Sequence, residues 1–121
     1  MHGHGVYTYK GGSKYVGDWI HGKQDGQGRM DYVISGQENP SVYIGEWKDG
    51  KRDGRGVYYY SNGNVYDGSW KENLRHGIGR LVLINKEAYD GEWNYGMMSG
   101  IGEYLFKNGD IYYGYWSRGQ R

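Results

Sequence analysis

Large apolar and aromatic side chains recur at every second position along short stretches of the chain, which is the period of a strand that packs one of its faces. Tyr15, Gly17 and Trp19 fall on one face of such a stretch, with Asp18 on the other. The order Tyr-x-Gly-x-Trp returns at Tyr43/Gly45/Trp47, Tyr66/Gly68/Trp70, Tyr89/Gly91/Trp93 and Tyr112/Gly114/Trp116, so the five copies contain all five tryptophans. After each of the first four copies a second stretch keeps the same parity: Gly54, Gly56, Tyr58 and Tyr60 share a face, as do Gly77, Gly79, Leu81 and Leu83, and Tyr7/Tyr9, Met30/Tyr32 and Tyr104/Phe106 supply the large residues elsewhere. The mid-strand glycine is expected to leave a gap that a ring from the neighbouring strand fills, which would explain its entropic cost. The other face, with Asp18, Glu46, Asp67, Asp90 and Glu92, is expected to be wet. Ten strands follow, from about Gly5 to Trp116.

Turn residues separate these stretches. Gly11-Gly12, Asn62-Gly63 and Asn108-Gly109 suit tight hairpins that need positive φ. A longer turn inside each repeat uses Gly22, Gly50, Gly96 and Gly119, with Asn73 in the third repeat, the next-best residue for a left-handed backbone. Lys86 stands where Gly63 and Gly109 stand, which predicts a looser or different turn near Asn85.

From motif tyrosine to motif tyrosine the intervals are 28, 23, 23 and 23 residues, so a constant period is broken once, by five extra residues at Gln37 to Ser41. The chain reads as one array: a partial repeat at 1–14, repeats at 15–42, 43–65, 66–88 and 89–111, and a partial repeat at 112–121. One repeat buries too few large side chains to offset the entropy of ordering its backbone, so neighbours must share ring faces and ladder hydrogen bonds. The sheet should therefore be extended, with unpaired edges open to end-to-end pairing or homo-oligomers.

The signature Tyr-x-Gly-x-Trp-x-x-Gly-x-x-x-Gly-x-Gly at this period resembles the MORN repeat family over essentially the whole chain. That resemblance implies an all-β fold, an elongated single-layer antiparallel β-meander of repeated hairpins, serving as a scaffold or interaction surface for other proteins of a larger assembly. Within the family, His4-Gly5-Val6-Tyr7 and Gly12-Ser13-Lys14-Tyr15-Val16-Gly17 are similar to radial-spoke-head members of cilia and flagella, which implies a cytoplasmic, axonemal setting. The other reading is a regulatory array of a larger enzyme such as a lipid kinase or methyltransferase, because such enzymes resemble frequent hosts of these repeats.

Composition narrows the chemistry. Glycine fills 24 of 121 positions, Tyr 15 and Trp 5, so ring packing must take the place of an aliphatic core. With 15 Lys+Arg against 14 Asp+Glu the chain has no strong field to draw in nucleic acid or an anionic membrane, and no nucleic-acid partner is expected. There is no cysteine, hence no disulfide framework and no thiolate zinc site. The start, Met1 to Lys10, has neither a signal-peptide pattern nor an apolar run of spanning length, and an intracellular soluble protein is the expectation.

No catalytic set is legible, and no cofactor or metal is expected. His2 and His76 occupy the offset of Asp25 and Asp53 and read as exposed turn residues; His2 with His4 lacks a full ligand set. Gly-x-Gly never opens a helical pattern, so no phosphate loop is read. Asp90 and Glu92 lie on an exposed face with no sign of a cleft. Lys48, Lys51, Arg52, Lys71 and Arg75 lie in or near turns along one edge, where lipid headgroups could touch them, although Asp49, Asp53 and Glu72 dilute their charge. Two features suit partner binding better: the insertion, with Glu38, Asn39 and Pro40 in a projecting loop, and the rings of Tyr59, Tyr95, Tyr113 and Tyr115, which repeat packing does not use.

Overall fold

The computed structural model describes residues 3–120. Ten strands follow in order: β1 (Gly3–Thr8), β2 (Lys14–Ile20), β3 (Lys23–Tyr32), β4 (Ser41–Lys48), β5 (Lys51–Tyr59), β6 (Val65–Lys71), β7 (Leu74–Val82), β8 (Ala88–Asn94), β9 (Met97–Leu105) and β10 (Ile111–Trp116). Each pairs antiparallel with the next, giving one open sheet in sequence order. The all-β meander that the family resemblance implied is the fold.

Register places like residues in rows across the strands. One glycine from every strand lines up from Gly5 through Gly17, Gly28, Gly45, Gly56, Gly68, Gly79, Gly91 and Gly102 to Gly114. Beside it runs a row of large residues: Tyr7, Tyr15, Met30, Tyr43, Tyr58, Tyr66, Leu81, Tyr89, Tyr104 and Tyr112. Tyr15, Tyr43, Tyr66 and Tyr89 are the largest fully buried side chains.

The glycines have separate jobs. A Cβ at Gly45 would run into the Gly56 Cα and the Arg55 carbonyl, so the motif glycine admits the partner strand's backbone, not a ring as the alternation suggested. The ring gap lies one strand on: a Cβ at Gly56 would overlap the Tyr43 phenol, which lies across it. The first glycine of each later pair serves the backbone. Between Gly45 and Trp47 the first strand spends two residues while its partner, from Arg52 to Gly56, spends four, and Gly54 absorbs this bulge at φ +100°. Gly26 and Gly77 do the same at +101° and +98°.

Two turn expectations are corrected. The turns inside the repeats are the tight ones, two residues long with both φ positive: His21-Gly22, Asp49-Gly50, Glu72-Asn73, Tyr95-Gly96 and Arg118-Gly119. Their twist matches that of the flanking strands. Four of the turns between repeats are longer, with one left-handed residue each at Gly12, Gly63, Lys86 and Gly109; the Gly63 N–H bonds back to the Tyr60 carbonyl and the Tyr60 N–H reaches Asn64 O. The loop at Asn85 is neither looser nor different. Lys86 N–H bonds to Leu83 O and Leu83 N–H to Glu87 O, the same pattern, with Lys86 held at φ 75° because the ladder on both sides fixes the path.

Candidate functional site

The ring face is built by alternating edge-to-face contacts. Tyr43 meets Trp47 of its own strand at 5.1 Å between centroids and Trp70 of the next repeat at 5.4 Å, with interplanar angles of 87° in both. Tyr15, Tyr66 and Tyr89 repeat the arrangement, so the phenols and indoles from Trp19 to Trp116 form one continuous column. Each such pair adds about 0.5–1.5 kcal/mol beyond burial. The phenol's polar end is satisfied locally: Tyr43 Oη donates to Glu46 O at 2.8 Å, and Tyr15, Tyr66, Tyr89 and Tyr112 donate to the carbonyl three residues on. The indoles bind the preceding repeat. Trp47, Trp70, Trp93 and Trp116 donate Nε1–H to the carbonyls of Gly28, Gly56, Gly79 and Gly102. Trp19 Nε1 is buried without an acceptor among the described residues.

Burial in this column pushes the phenols of Tyr15 and Tyr89 up to about 12, and raises those of Tyr43 and Tyr66 as well. Desolvation of the phenolate is the leading cause in all four.

Opposite each of the first four tryptophans, on the following strand, stands one long side chain: Gln24, Arg52, Arg75 and Met98. Arg52 and Arg75 are not edge residues facing outward, as their turn positions suggested. The Arg52 guanidinium lies 4.9 Å from the Trp70 ring and 5.0 Å from Tyr58, and that of Arg75 lies 4.5 Å from Trp93, because stacking desolvates the planar cation on faces the column leaves open. A concavity of about 620 Å³ opens here, lined by Tyr9, Gln24, Met30, Tyr32, Trp47 and Arg52 among others, and a second of about 200 Å³ continues past Arg52 to Tyr60 and Arg75.

The opposite face is not simply wet. Asp18, Glu46 and Glu92 accept the N–H of Gln27, Arg55 and Ile101 and so cap the bulges. The Gln27 N–H, then His4, hold the Asp18 carboxyl below its ordinary range. Asp67 and Asp90 face Arg55 and Arg80 at 3.8 and 3.6 Å. Between these polar positions runs an apolar row that the sequence reading missed: Val42, Tyr59, Val65, Val82, Ala88, Leu105 and Ile111 lie side by side across seven strands. Its signal was the apolar residue directly before the motif tyrosine, as in Val42-Tyr43, Val65-Tyr66, Ala88-Tyr89 and Ile111-Tyr112.

Of the candidate partner-binding residues, Tyr59, Tyr113 and Tyr115 share this back face, the last two 69% and 74% exposed. The structure does not bring the others to them. Tyr95 sits in the tight turn after β8, its ring 4.3 Å from His76, and exposed Glu38, Asn39 and Pro40 lie in the loop between β3 and β4. His76 has more than an exposed turn role, since its Nδ1 accepts the Tyr95 N–H where Asp25 and Asp53 accept those of Asp49 and Glu72. His2 lies outside the described residues, and among those described no group of three or more His, Cys, Asp or Glu could hold a metal ion.

The sequence profile of the MORN repeat matches residues 1–14, 15–37, 43–65, 66–86 and 89–111. The chain belongs to the MORN repeat family. A comparison with curated proteins gives no match. MORN repeats are generally interaction modules for proteins or membranes. The basic turn residues of this MORN sheet, Lys48, Lys51 and Lys71, share their hollow with Asp49, Asp53 and Glu72, three charges of each sign.

Proposed function

We propose that this MORN chain is a non-catalytic scaffold that holds protein partners in a larger cytoskeletal assembly, and that the assembly is ciliary, of the radial-spoke kind. The observation that carries the scaffold reading is the apolar back-face row, whose Tyr59, Val82 and Ile111 are exposed together with Tyr113 and Tyr115 on the same face. A second sheet or a helix would normally bury such a row, and here a partner does so. The similarity of residues 4–7 and 12–17 to radial-spoke-head members supports the ciliary setting. The balanced charge of the basic turns favours protein over lipid as the partner.

A tagged chain expressed in a ciliated cell tests both parts. Retention on detergent-extracted axonemes, lost in an Ile111→Asp/Tyr113→Asp double variant that folds normally by circular dichroism, is the expected result. Retention elsewhere in the cytoskeleton with the same sensitivity would keep the scaffold and remove the cilium. A freely extractable chain would remove both.

A further inference from the structure

The arginines of the two faces differ in one respect. On the back face Arg29, Arg55 and Arg80 each have an aspartate within ion-pair distance: Asp31, Asp67 and Asp90. On the ring face Arg52 and Arg75 have none among the described residues. Arg52 donates only to Tyr32 Oη and Asn73 O, its Nε is buried without an acceptor, and Arg75 donates to Gly96 O. No residue lining either ring-face hollow is acidic. Two half-buried cations therefore sit in a concave, aromatic trough with no counter-charge from the described residues.

Their spacing constrains what could supply it. Arg52 and Arg75 hold the same place in successive repeats, two strands apart, so at about 4.8 Å per strand they are separated by about 9.6 Å across the sheet. A polyproline II helix repeats every three residues, about 9.3 Å at 3.1 Å each. Half-buried rings also recur once per repeat beside the trough, at Tyr9, Tyr32 and Tyr60, and give such a helix ridges of matching period.

The geometry points to a binding site for an acidic, proline-rich peptide segment in the polyproline II conformation, lying across the strands with carboxylates three residues apart on Arg52 and Arg75. The aromatic ridges take the proline rings, and the preformed helix loses little entropy on docking. This site does not depend on the scaffold reading, which rests on the other face.

The probe is a synthetic peptide of three Pro-Pro-Glu units, titrated into the isotope-labelled full chain and followed by NMR. Expected are saturable shifts at Tyr32, Tyr58 and Tyr60, with binding at least tenfold weaker for a Pro-Pro-Gln peptide and for one whose glutamates are two residues apart. Arg52→Gln and Arg75→Met should each weaken binding at least tenfold without unfolding, because Gln24 and Met98 already occupy the equivalent places. No shifts at millimolar peptide, equal binding of the Gln peptide, or shifts confined to the back face would each overturn the proposal.

Discussion

At the scale of single residues, the fold depends on phenols that are buried at the ring and satisfied at the hydroxyl. Replacing Tyr43 by Phe keeps the edge-to-face contacts and strands the Glu46 carbonyl, so the expected loss is about 1–2 kcal/mol in chemical denaturation. The same burial sets a pH limit. The raised phenols of Tyr15 and Tyr89 contribute stability that is fully present below the unfolded tyrosine value near 10 and is lost as pH rises toward 12. Absorbance near 295 nm should therefore show exposed tyrosines ionising first and a second group appearing only with loss of the tryptophan fluorescence of the folded chain. Lys86 carries strain of the opposite kind, a side chain in a left-handed position that its neighbours satisfy with glycine. Lys86→Gly should stabilise by about 1 kcal/mol, a rise of about 4 °C in melting temperature, and a drop would mean that the lysine makes a contact the backbone geometry does not reveal.

At the scale of the element, each repeat is joined to the next by side chains that cap its neighbour's backbone. Ser13, Ser41, Asn64 and Glu87 each accept an N–H from the following hairpin, at Val33, Ser61, Ile84 and Lys107. Within the hairpin, the bulge caps at Asp18, Glu46 and Glu92 have one exception, since Ser69 is too short to reach Ile78 N–H. Ser69→Glu should supply that bond and raise the unfolding midpoint, while Glu46→Ala should lower it by about 1 kcal/mol or more by freeing Arg55 N–H. Amide hydrogen exchange checks both locally, with slower exchange at Ile78 in the first variant and faster exchange at Arg55 in the second.

At the scale of the whole molecule, contacts are almost entirely between consecutive strands, so stability is close to a sum of repeat and neighbour terms. Ending the chain after Glu87 removes the Trp93 partner of Tyr66 together with all of β8, β9 and β10, and the remaining sheet should unfold at lower urea with a smaller slope, still in one transition. An unchanged midpoint would show that the last repeats fold independently of the rest. The open sheet also explains how one chain offers two unlike surfaces, an apolar back and an arginine-bearing aromatic trough, with no second layer to cover either.

Much of this was legible in the residues, because a period of two within a period of 23 leaves little choice of secondary structure, and the resemblance to MORN repeats implied the strand order. The alternation set which side chains share a face, the repeats gave ten strands, and the family resemblance implied that they form one meander. Three-dimensional pairing decided the rest. Only the register shows that Gly45 makes room for backbone while Gly56 makes room for a ring, since both look alike in a sequence. The fate of Arg52 and Arg75 was hidden for the same reason: a cation near a turn faces water unless the rings it can stack on stand beside it, and the nearest of those, Trp70 and Trp93, come from the next repeat. The apolar back-face row is likewise a property of neighbours across the sheet, where residues alternately 17 and 6 positions apart in sequence, such as Val42, Tyr59 and Val65, become adjacent.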